Sequence, residues 1–137
     1  MRTDLSVRAM HLGDMRVDVQ VRSHSIPMDY PAAGDANPTP LEVLLASLAA
    51  CAANTLNLVL SRKMEANFTS LEVEAKAQRR EEHPTVVTAI ELVYHLRGAE
   101  LAPEIVERAL RIAEEQLCPV LAMLRPGTKI TSSWQMD

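Results

Sequence analysis

The sequence predicts a single α+β domain, and three features of its hydrophobic pattern lead to this prediction. Apolar and polar residues alternate with a period of two in several short segments, which is typical of strands with one buried face. A long and almost wholly apolar segment follows the first of these strands. A second segment of helical length, with one apolar stripe, precedes the last strand. The resulting order of strands, buried helix, strands, helix and strand is that of an α+β domain, predicted over residues 1–137.

Length and composition agree with one globular domain. The chain has 137 residues, of which 47% are hydrophobic and 23% charged, so a disordered or collagen-like chain is excluded. The net charge is −4 and only 3% of the residues are aromatic. Non-specific nucleic-acid binding needs a basic face, and base stacking needs aromatic side chains, so we expect no nucleic-acid partner.

The N-terminal third predicts strands between about residues 4 and 28. Residues 15–22 alternate regularly, and residues 4–12 are the expected hairpin partner, with Gly13-Asp14 as the turn. Residues 23–40 contain four prolines, the last of which is Pro40 at the start of the helix, and they are predicted as an ordered loop.

A buried helix is predicted over about residues 40–64. Pro40 fits its first turn, and Thr39 or Asn37 could cap it. Fifteen of the twenty residues in 41–60 are apolar, on all sides of the helix, so the helix must be surrounded, by its own sheet and by a partner subunit. The segment is also long enough to cross a bilayer. Four polar residues make a membrane span improbable and favour a protein interior: Glu42, Asn54, Thr55 and Asn57.

The C-terminal half predicts strands over about residues 70–97, a helix over about 103–117 and a final strand over about 128–135. Pro103 opens the helix, and Cys118-Pro119 interrupts it because proline disfavours helical backbone at the preceding residue. The inward stripe of this helix is predicted to consist of Ile105, Ala109, Ile112 and Ala113.

Two cysteines, sixty-seven residues apart, are the main candidates for chemistry. Cys51 lies in the middle of the buried helix and Cys118 lies at the proline-enforced break. Each could simply fill space in the core, because free cysteine is among the most buried residue types. If the two helices cross, one thiol oxidised to a sulfenic acid could be resolved by the other into a disulfide. Cys51 would then have to react as a thiolate, which a nearby cation or helix terminus would stabilise.

Other site types are disfavoured by the sequence. The four histidines share no metal-ligand spacing with each other or with the cysteines, so no metal site is predicted: His11, His24, His83 and His95. Glu42 is the one acid in the buried helix, where it is either a favourable charge at the helix N-terminus or an anchor for a catalytic arginine. The charged start of the chain predicts no secretory signal, and we expect a reducing cytoplasm.

Two segments resemble the OsmC/Ohr family of thiol peroxidases. Residues 37–51, NPTPLEVLLASLAAC, resemble the helix that carries the first cysteine of that family. Residues 115–120, EQLCPV, resemble its second-cysteine motif, and the order of elements matches over about residues 15–135.

The resemblance implies a fold, an oligomer and a reaction. The fold is an intertwined homodimer in which antiparallel sheets wrap two long central helices. The reaction is reduction of organic hydroperoxides, with Cys51 as the peroxidatic thiolate and Cys118 as the resolving thiol. No bound cofactor is implied, and an external dithiol would reduce the Cys51–Cys118 disulfide. The alternative is a redox-sensing or small-molecule-binding dimer with little turnover, or a dimer whose cysteines only pack.

The resemblance also implies that an arginine paired with a glutamate supports the thiolate. Glu42 is the candidate glutamate and Arg22 the nearest candidate arginine, with Arg16 equally possible. Nine residues separate Glu42 from Cys51, which on an ideal helix turn through about 900° and place the two on opposite faces. Either the helix is broken between them, or Glu42 does not serve this cysteine.

Overall fold

The computed structural model describes residues 3–30, 36–98 and 100–137, and it confirms the α+β class, with two sheets and three helices in those residues. The chain divides into two compact units, Met1–Leu44 and Leu45–Asp137. Each unit has its own sheet, and each is described by itself below.

The first unit is built on a three-stranded antiparallel sheet. Its strands β1 (Arg8–Gly13), β2 (Arg16–Val21) and β3 (His24–Met28) follow one another in sequence and in space. The β1–β2 hairpin turns at residues 14–15, one residue later than predicted. The prediction of a loop from residue 23 was wrong for residues 24–28, because β3 tolerates Pro27 as an edge strand with one unpaired side. Residues 31–35 of that predicted loop lie outside the described part of the chain.

Helix α1 spans Pro40–Leu58 and continues as a π-helical turn over Val59–Lys63. The first residues of the helix, up to Leu44, belong to the first unit, and the remainder belongs to the second. The second unit buries one stripe of it, and a fully buried leucine there contributes roughly 1.5–3 kcal/mol of hydrophobic free energy. The buried stripe consists of Leu48, Ala52, Leu56, Val59 and Leu60. An opposite stripe, four residues apart at each step, is exposed in the single chain: Ala46, Ala50, Asn54 and Leu58. The helix is therefore covered on one side and bare on another.

By length and composition, Pro40–Lys63 could cross a membrane, and it is the one such helix among the described residues. The core helix of a globular domain meets the same criterion.

The Thr55 hydroxyl is satisfied within α1, because it donates to the backbone carbonyls of Cys51 (2.9 Å) and Ala52 (3.2 Å). That pattern satisfies a polar side chain within the helix itself.

The second unit contains a mixed three-stranded sheet. Strand β4 (Ser70–Arg79) pairs antiparallel with β5 (Val87–Arg97), and β5 pairs parallel with β6 (Lys129–Met136). The expectation of purely antiparallel sheets is therefore corrected here, because a helical crossover between β5 and β6 brings the chain back in the same direction. One face of β5 is buried as its alternation predicts, through Ile90, Leu92, Tyr94 and Leu96. Gly98 ends β5 at φ +66°, where a Cβ would collide with the Thr69 side chain.

The crossover consists of α2 (Pro103–Ile112), a π-helical turn (Ala113–Leu117) and the short α3 (Pro119–Leu124). The inward stripe of α2 differs in part from the prediction: Ile105 and Ile112 are only half-buried, and Val106 and Leu110 are in the core instead. The predicted interruption at Cys118-Pro119 is where the π-helical turn ends and α3 begins.

Candidate functional site

The second unit brings its two cysteines into contact. The Sγ of Cys118 donates a hydrogen bond to the Sγ of Cys51 at 3.1 Å, and both residues are free thiols. A disulfide bond is about 2.05 Å long, so the two sulfurs need to approach by only about 1 Å to be joined. The sequence-based expectation that the helices could cross and bring these thiols together is met by the geometry.

Local backbone chemistry places Cys118 at this point. Its N–H donates to the carbonyl of Ala113 at 2.9 Å, five residues back, which closes the π-helical turn. The next residue, Pro119, has no N–H and fits the first turn of a helix, so α3 starts there in a new direction. Cys118 itself is extended, with φ −79° and ψ 102°. The side chain at the corner is thereby turned into the core.

The two thiols differ in exposure. Cys118 is 3% exposed, whereas Cys51 is half-buried. Burial raises the pKa of the Cys118 thiol above its ordinary value of 9.0, and its contact with Cys51 raises it further, while the backbone amides of Leu121 and Val120 oppose part of the rise. Cys118 is therefore a neutral thiol at neutral pH, and its proton is available to Cys51. Of the two cysteine residues, Cys51 is the more exposed.

A hydrogen-bonded polar cluster lies in the same unit and is centred on Glu114. The hydroxyl of Tyr94 on β5 donates to Oε2 of Glu114 at 2.8 Å, and the hydroxyl of Ser132 on β6 donates to the same oxygen at 2.6 Å. The guanidinium of Arg125 lies 4.0 Å from Oε1 of Glu114. Three elements of the second unit thus converge on one carboxylate.

Tyr94 is the most deeply buried member of this cluster. Its side chain is 1% exposed, and burial raises its pKa, with the Glu114 carboxylate and then Cys118 adding to the rise. The hydroxyl therefore stays protonated at neutral pH. Neither Tyr94 nor Glu114 was named as a candidate site residue in the sequence analysis. The available signal was an acid four residues before the second cysteine, about one helical turn away.

Glu42 and Arg22 lie in the first unit. Glu42 forms a reciprocal capping box with Thr39: its Oε1 accepts from the Thr39 N–H (2.9 Å) and hydroxyl (3.0 Å), and its own N–H donates to Thr39 Oγ1 (3.2 Å). The backbone N–H and then the hydroxyl of Thr39 lower the pKa of the Glu42 carboxyl. Thr39 is thus the N-cap of α1; it was one of the two predicted candidates, the other being Asn37. Arg22 is exposed in the turn between β2 and β3, at φ +55°.

No group of three histidine, cysteine, aspartate or glutamate side chains lies close enough to hold a metal ion within the described ranges. A shallow cleft of about 440 Å³ on the second unit is bordered by β4, β5 and β6 and does not include either cysteine.

The sequence model of the OsmC-like protein family matches residues 33–133, which include both cysteines. The chain belongs to the OsmC-like family. Protein YhfA of Escherichia coli strain K12 is a relative that is 33% identical over 113 residues, covering 82% of this chain and 83% of YhfA.

Solved structures show the same OsmC-like fold. The OsmC-like protein from Mycoplasma pneumoniae aligns with a TM-score of 0.89 at 18% identity, over 99% of each chain. The organic hydroperoxide resistance protein OhrB of Bacillus subtilis aligns with a TM-score of 0.70 at 19% identity, over 96% of this chain and 98% of OhrB. At such identities the likeness establishes the fold alone.

Proposed function

We propose that this protein is a thiol-dependent peroxidase that reduces organic hydroperoxides, with Cys51 as the peroxidatic residue and Cys118 as the resolving residue. The observation that carries the proposal is the 3.1 Å contact between two free sulfurs from distant parts of the sequence. A pair that only filled space would not need its two sulfurs in contact with each other.

The reaction has three steps. The Cys51 thiolate attacks the terminal peroxide oxygen, the O–O bond breaks, and the alcohol leaves after taking a proton. Cys51 is then a sulfenic acid. The Cys118 sulfur attacks the Cys51 sulfur, the S–O bond breaks, and a disulfide and one water form. An external dithiol reduces this disulfide by exchange and returns both thiols.

Burial and hydrogen bonding support this assignment of roles. An attacking sulfur must meet a peroxide from solvent, and Cys51 is the more exposed of the two. The thiol of Cys118 donates to Cys51, and a donor stabilises a thiolate at the accepting sulfur. Cys118 is buried and neutral until a second electrophile, the sulfenic acid, forms next to it.

Structural neighbours add support for the substrate class. Besides OhrB, an organic hydroperoxide resistance protein from Elizabethkingia anophelis shares the fold with a TM-score of 0.73. Both proteins are named for resistance to organic hydroperoxides, and we propose the same substrate class for this chain. Arg22 is kept in the proposal as the thiolate-supporting candidate. Because α1 is unbroken between Glu42 and Cys51, the geometry of the single chain favours the capping role for Glu42.

We propose that the protein is a cytoplasmic homodimer without a bound cofactor. Its function would require neither a membrane nor a nucleic acid as partner. The exposed stripe of α1 supports a second copy as the missing cover, because three of its four side chains are apolar in the single chain. A reducing compartment fits two cysteines that are both free thiols.

Titration of the reduced protein with cumene hydroperoxide, followed by counting of free thiols, tests the peroxidase proposal. Wild type should lose two thiols per peroxide, and Cys118→Ser should stop at a sulfenic acid that dimedone traps. Cys51→Ser is the matched control and should react only at the background rate. Equal rates of thiol loss in wild type and Cys51→Ser would rule out the proposed function.

A redox-sensing or small-molecule-binding dimer is the second candidate. The observation that favours it is the Glu42 carboxylate, which is engaged with Thr39 in the cap. Under this candidate the Cys51–Cys118 disulfide forms, but dithiols reduce it slowly. Steady-state turnover with dihydrolipoamide and cumene hydroperoxide separates the two functions.

A further inference from the structure

The thiols of Cys51 and Cys118 form a pair that can hold a ligand between them as well as form a disulfide. Their Sγ atoms are 3.1 Å apart, and both residues are free thiols. Cys51 is carried by α1 and packs against the core, while Cys118 is in the core at the start of α3. Because two packed elements hold the sulfurs in contact, a ligand that bonds to both meets them already close together.

The distance between the two sulfurs discriminates among the elements that bind thiols. In a tetrahedral zinc site with Zn–S bonds of about 2.3 Å, two sulfurs are about 3.8 Å apart. A linear ion such as Cu(I) holds its two sulfurs still further apart, on opposite sides. Trivalent arsenic is pyramidal: its bonds to sulfur are about as long as those of zinc but lie nearly at a right angle, which sets the sulfurs about 3.3 Å apart. Of these geometries, the observed separation of 3.1 Å is closest to that of trivalent arsenic.

The surroundings of the pair favour a ligand that needs only two bonds to the protein. Zinc sites in proteins use three or four protein ligands. Among the residues that the structure describes, no group of three histidine, cysteine, aspartate or glutamate side chains could hold a metal ion. In an organic arsenical the third bond of arsenic is already made, to carbon, so two thiols complete its coordination.

We propose that Cys51 and Cys118 together bind trivalent organic arsenicals, in which arsenic carries one carbon group and two hydroxyls, as a two-sulfur chelate. The inference does not depend on the proposed peroxidase function. Arsenic bonds first to Cys51, the more exposed residue, and Cys118, which is 3% exposed, closes the chelate from inside the protein. An arsenical bound in this way occupies both sulfurs, so it blocks every reaction that uses either thiol.

The binding step balances without an oxidant or a reductant. The S–H bonds of Cys51 and Cys118 break, as do the two bonds from arsenic to its hydroxyls. Two S–As bonds form, and the two thiol protons leave with the two hydroxyls as two waters. Arsenic stays trivalent. Because the leaving hydroxyls take up the protons, a neutral thiol at Cys118 reacts without a base from the protein.

The alternative is that each thiol reacts by itself, or that only Cys51 does. Such an adduct has a single S–As bond and exchanges readily with monothiols. A chelate is tighter by roughly a hundredfold or more, because its second bond forms within one complex. The two modes therefore differ in stoichiometry, in affinity and in their response to competing thiols.

Titration of the reduced protein with phenylarsine oxide tests the proposal, with intact mass and the number of free thiols as readouts. Wild type should take up one arsenic atom per chain and lose both free thiols. Dimercaptopropanol should release the arsenic, whereas mercaptoethanol at the same thiol concentration should not. Wild-type protein oxidised to the Cys51–Cys118 disulfide is the matched control and should bind no arsenic.

Cys51→Ser and Cys118→Ser each keep one thiol and cannot form the chelate. Each should bind phenylarsine oxide about a hundredfold or more weaker than wild type, and mercaptoethanol should remove the arsenic from both. Circular dichroism establishes that the variants are folded. The stoichiometry of the wild-type protein tests the proposal without either variant. Equimolar zinc should not protect the wild-type thiols from the arsenical.

Two arsenic atoms per wild-type chain, or one atom with one thiol still free, would overturn the proposal. Single-cysteine variants that bind as tightly as wild type would do the same, and full protection by zinc would contradict the argument from the sulfur separation. The cumene hydroperoxide titration is scored separately. If Cys51 resists the peroxide while phenylarsine oxide takes up both thiols, the peroxidase function fails and the chelate stands. If the peroxide oxidises Cys51 but the arsenical leaves one thiol free, the reverse holds.

Discussion

The Sγ of Cys118 donates to the Sγ of Cys51 at 3.1 Å, from a position 3% exposed to one that is half-buried. The contact is asymmetric in both burial and proton donation. Because the buried partner holds the proton, the more exposed sulfur is the one placed to react with a molecule from solvent. This asymmetry favours one order of events, in which Cys51 is oxidised first and Cys118 attacks it afterwards.

The raised pKa of Cys118 predicts an alkaline loss of stability. The unfolded chain loses this proton near the ordinary value of 9.0, while the folded chain still holds it, so the unfolded state binds fewer protons. The contribution to the free energy of unfolding is complete below 9.0 and is lost as the pH rises from there through the folded pKa. Urea titrations of the reduced protein between pH 7 and 10.5 should show this decline. Cys118→Ala should decline less, and a parallel decline in both proteins would contradict the interpretation.

Arg22 is expected to support the reactive state of Cys51. Arg22→Ala should slow Cys51 oxidation by cumene hydroperoxide by about tenfold or more, because a cation or donor at a developing charge contributes at least that much. The measurement is stopped-flow of the Cys118→Ser protein, in which oxidation ends at the sulfenic acid. Arg16→Ala is the matched substitution and should leave the rate unchanged. If Arg16→Ala slows the oxidation of Cys51 and Arg22→Ala does not, the supporting arginine is Arg16, which the sequence left equally possible.

The Thr39–Glu42 capping box is expected to stabilise the start of α1. Thr39→Ala should lower the free energy of unfolding by about 1 kcal/mol, since an N-cap hydroxyl and its acceptors are lost. For a chain of this length that corresponds to about 3 °C in Tm. Glu42→Gln should cost less, because the amide oxygen still accepts from Thr39. If Glu42→Gln also slows Cys51 oxidation while Thr39→Ala does not, Glu42 serves the thiolate as well as the cap.

The exposed stripe of α1 is expected to lie in a dimer interface. Leu58 is 39% exposed in the single chain, and Leu58→Glu should convert a dimer into a monomer because it would place an unpaired charge against a partner helix. Sedimentation velocity at micromolar concentration measures the mass. Met123→Glu, at a residue that is 71% exposed on α3, is the control and should remain dimeric. A wild-type protein that sediments as a monomer would contradict the proposal directly.

The period of two on β5 and the proline after Cys118 were sufficient to predict a strand with a buried face and a break in the crossover helix. Both are local effects, set by side-chain alternation and by the missing N–H of proline. The predicted range of the N-terminal strands did reach residue 28, but the loop predicted from residue 23 was wrong at β3, because a proline-rich edge strand and a loop have the same composition. The prediction also missed the parallel pairing of β6, since strand direction depends on the path of the chain between two strands.

Composition, hydrophobic period and two short motifs determined the fold class, the family resemblance and the two candidate cysteines, because those properties depend on residues close together in sequence. Only the tertiary structure decided the 3.1 Å sulfur contact and the Tyr94–Glu114–Ser132 cluster. Residues of the last group come from two strands and a helical turn, and their convergence depends on how the crossover packs on the sheet. No sequence spacing encodes that packing, which is fixed by the burial of the whole core.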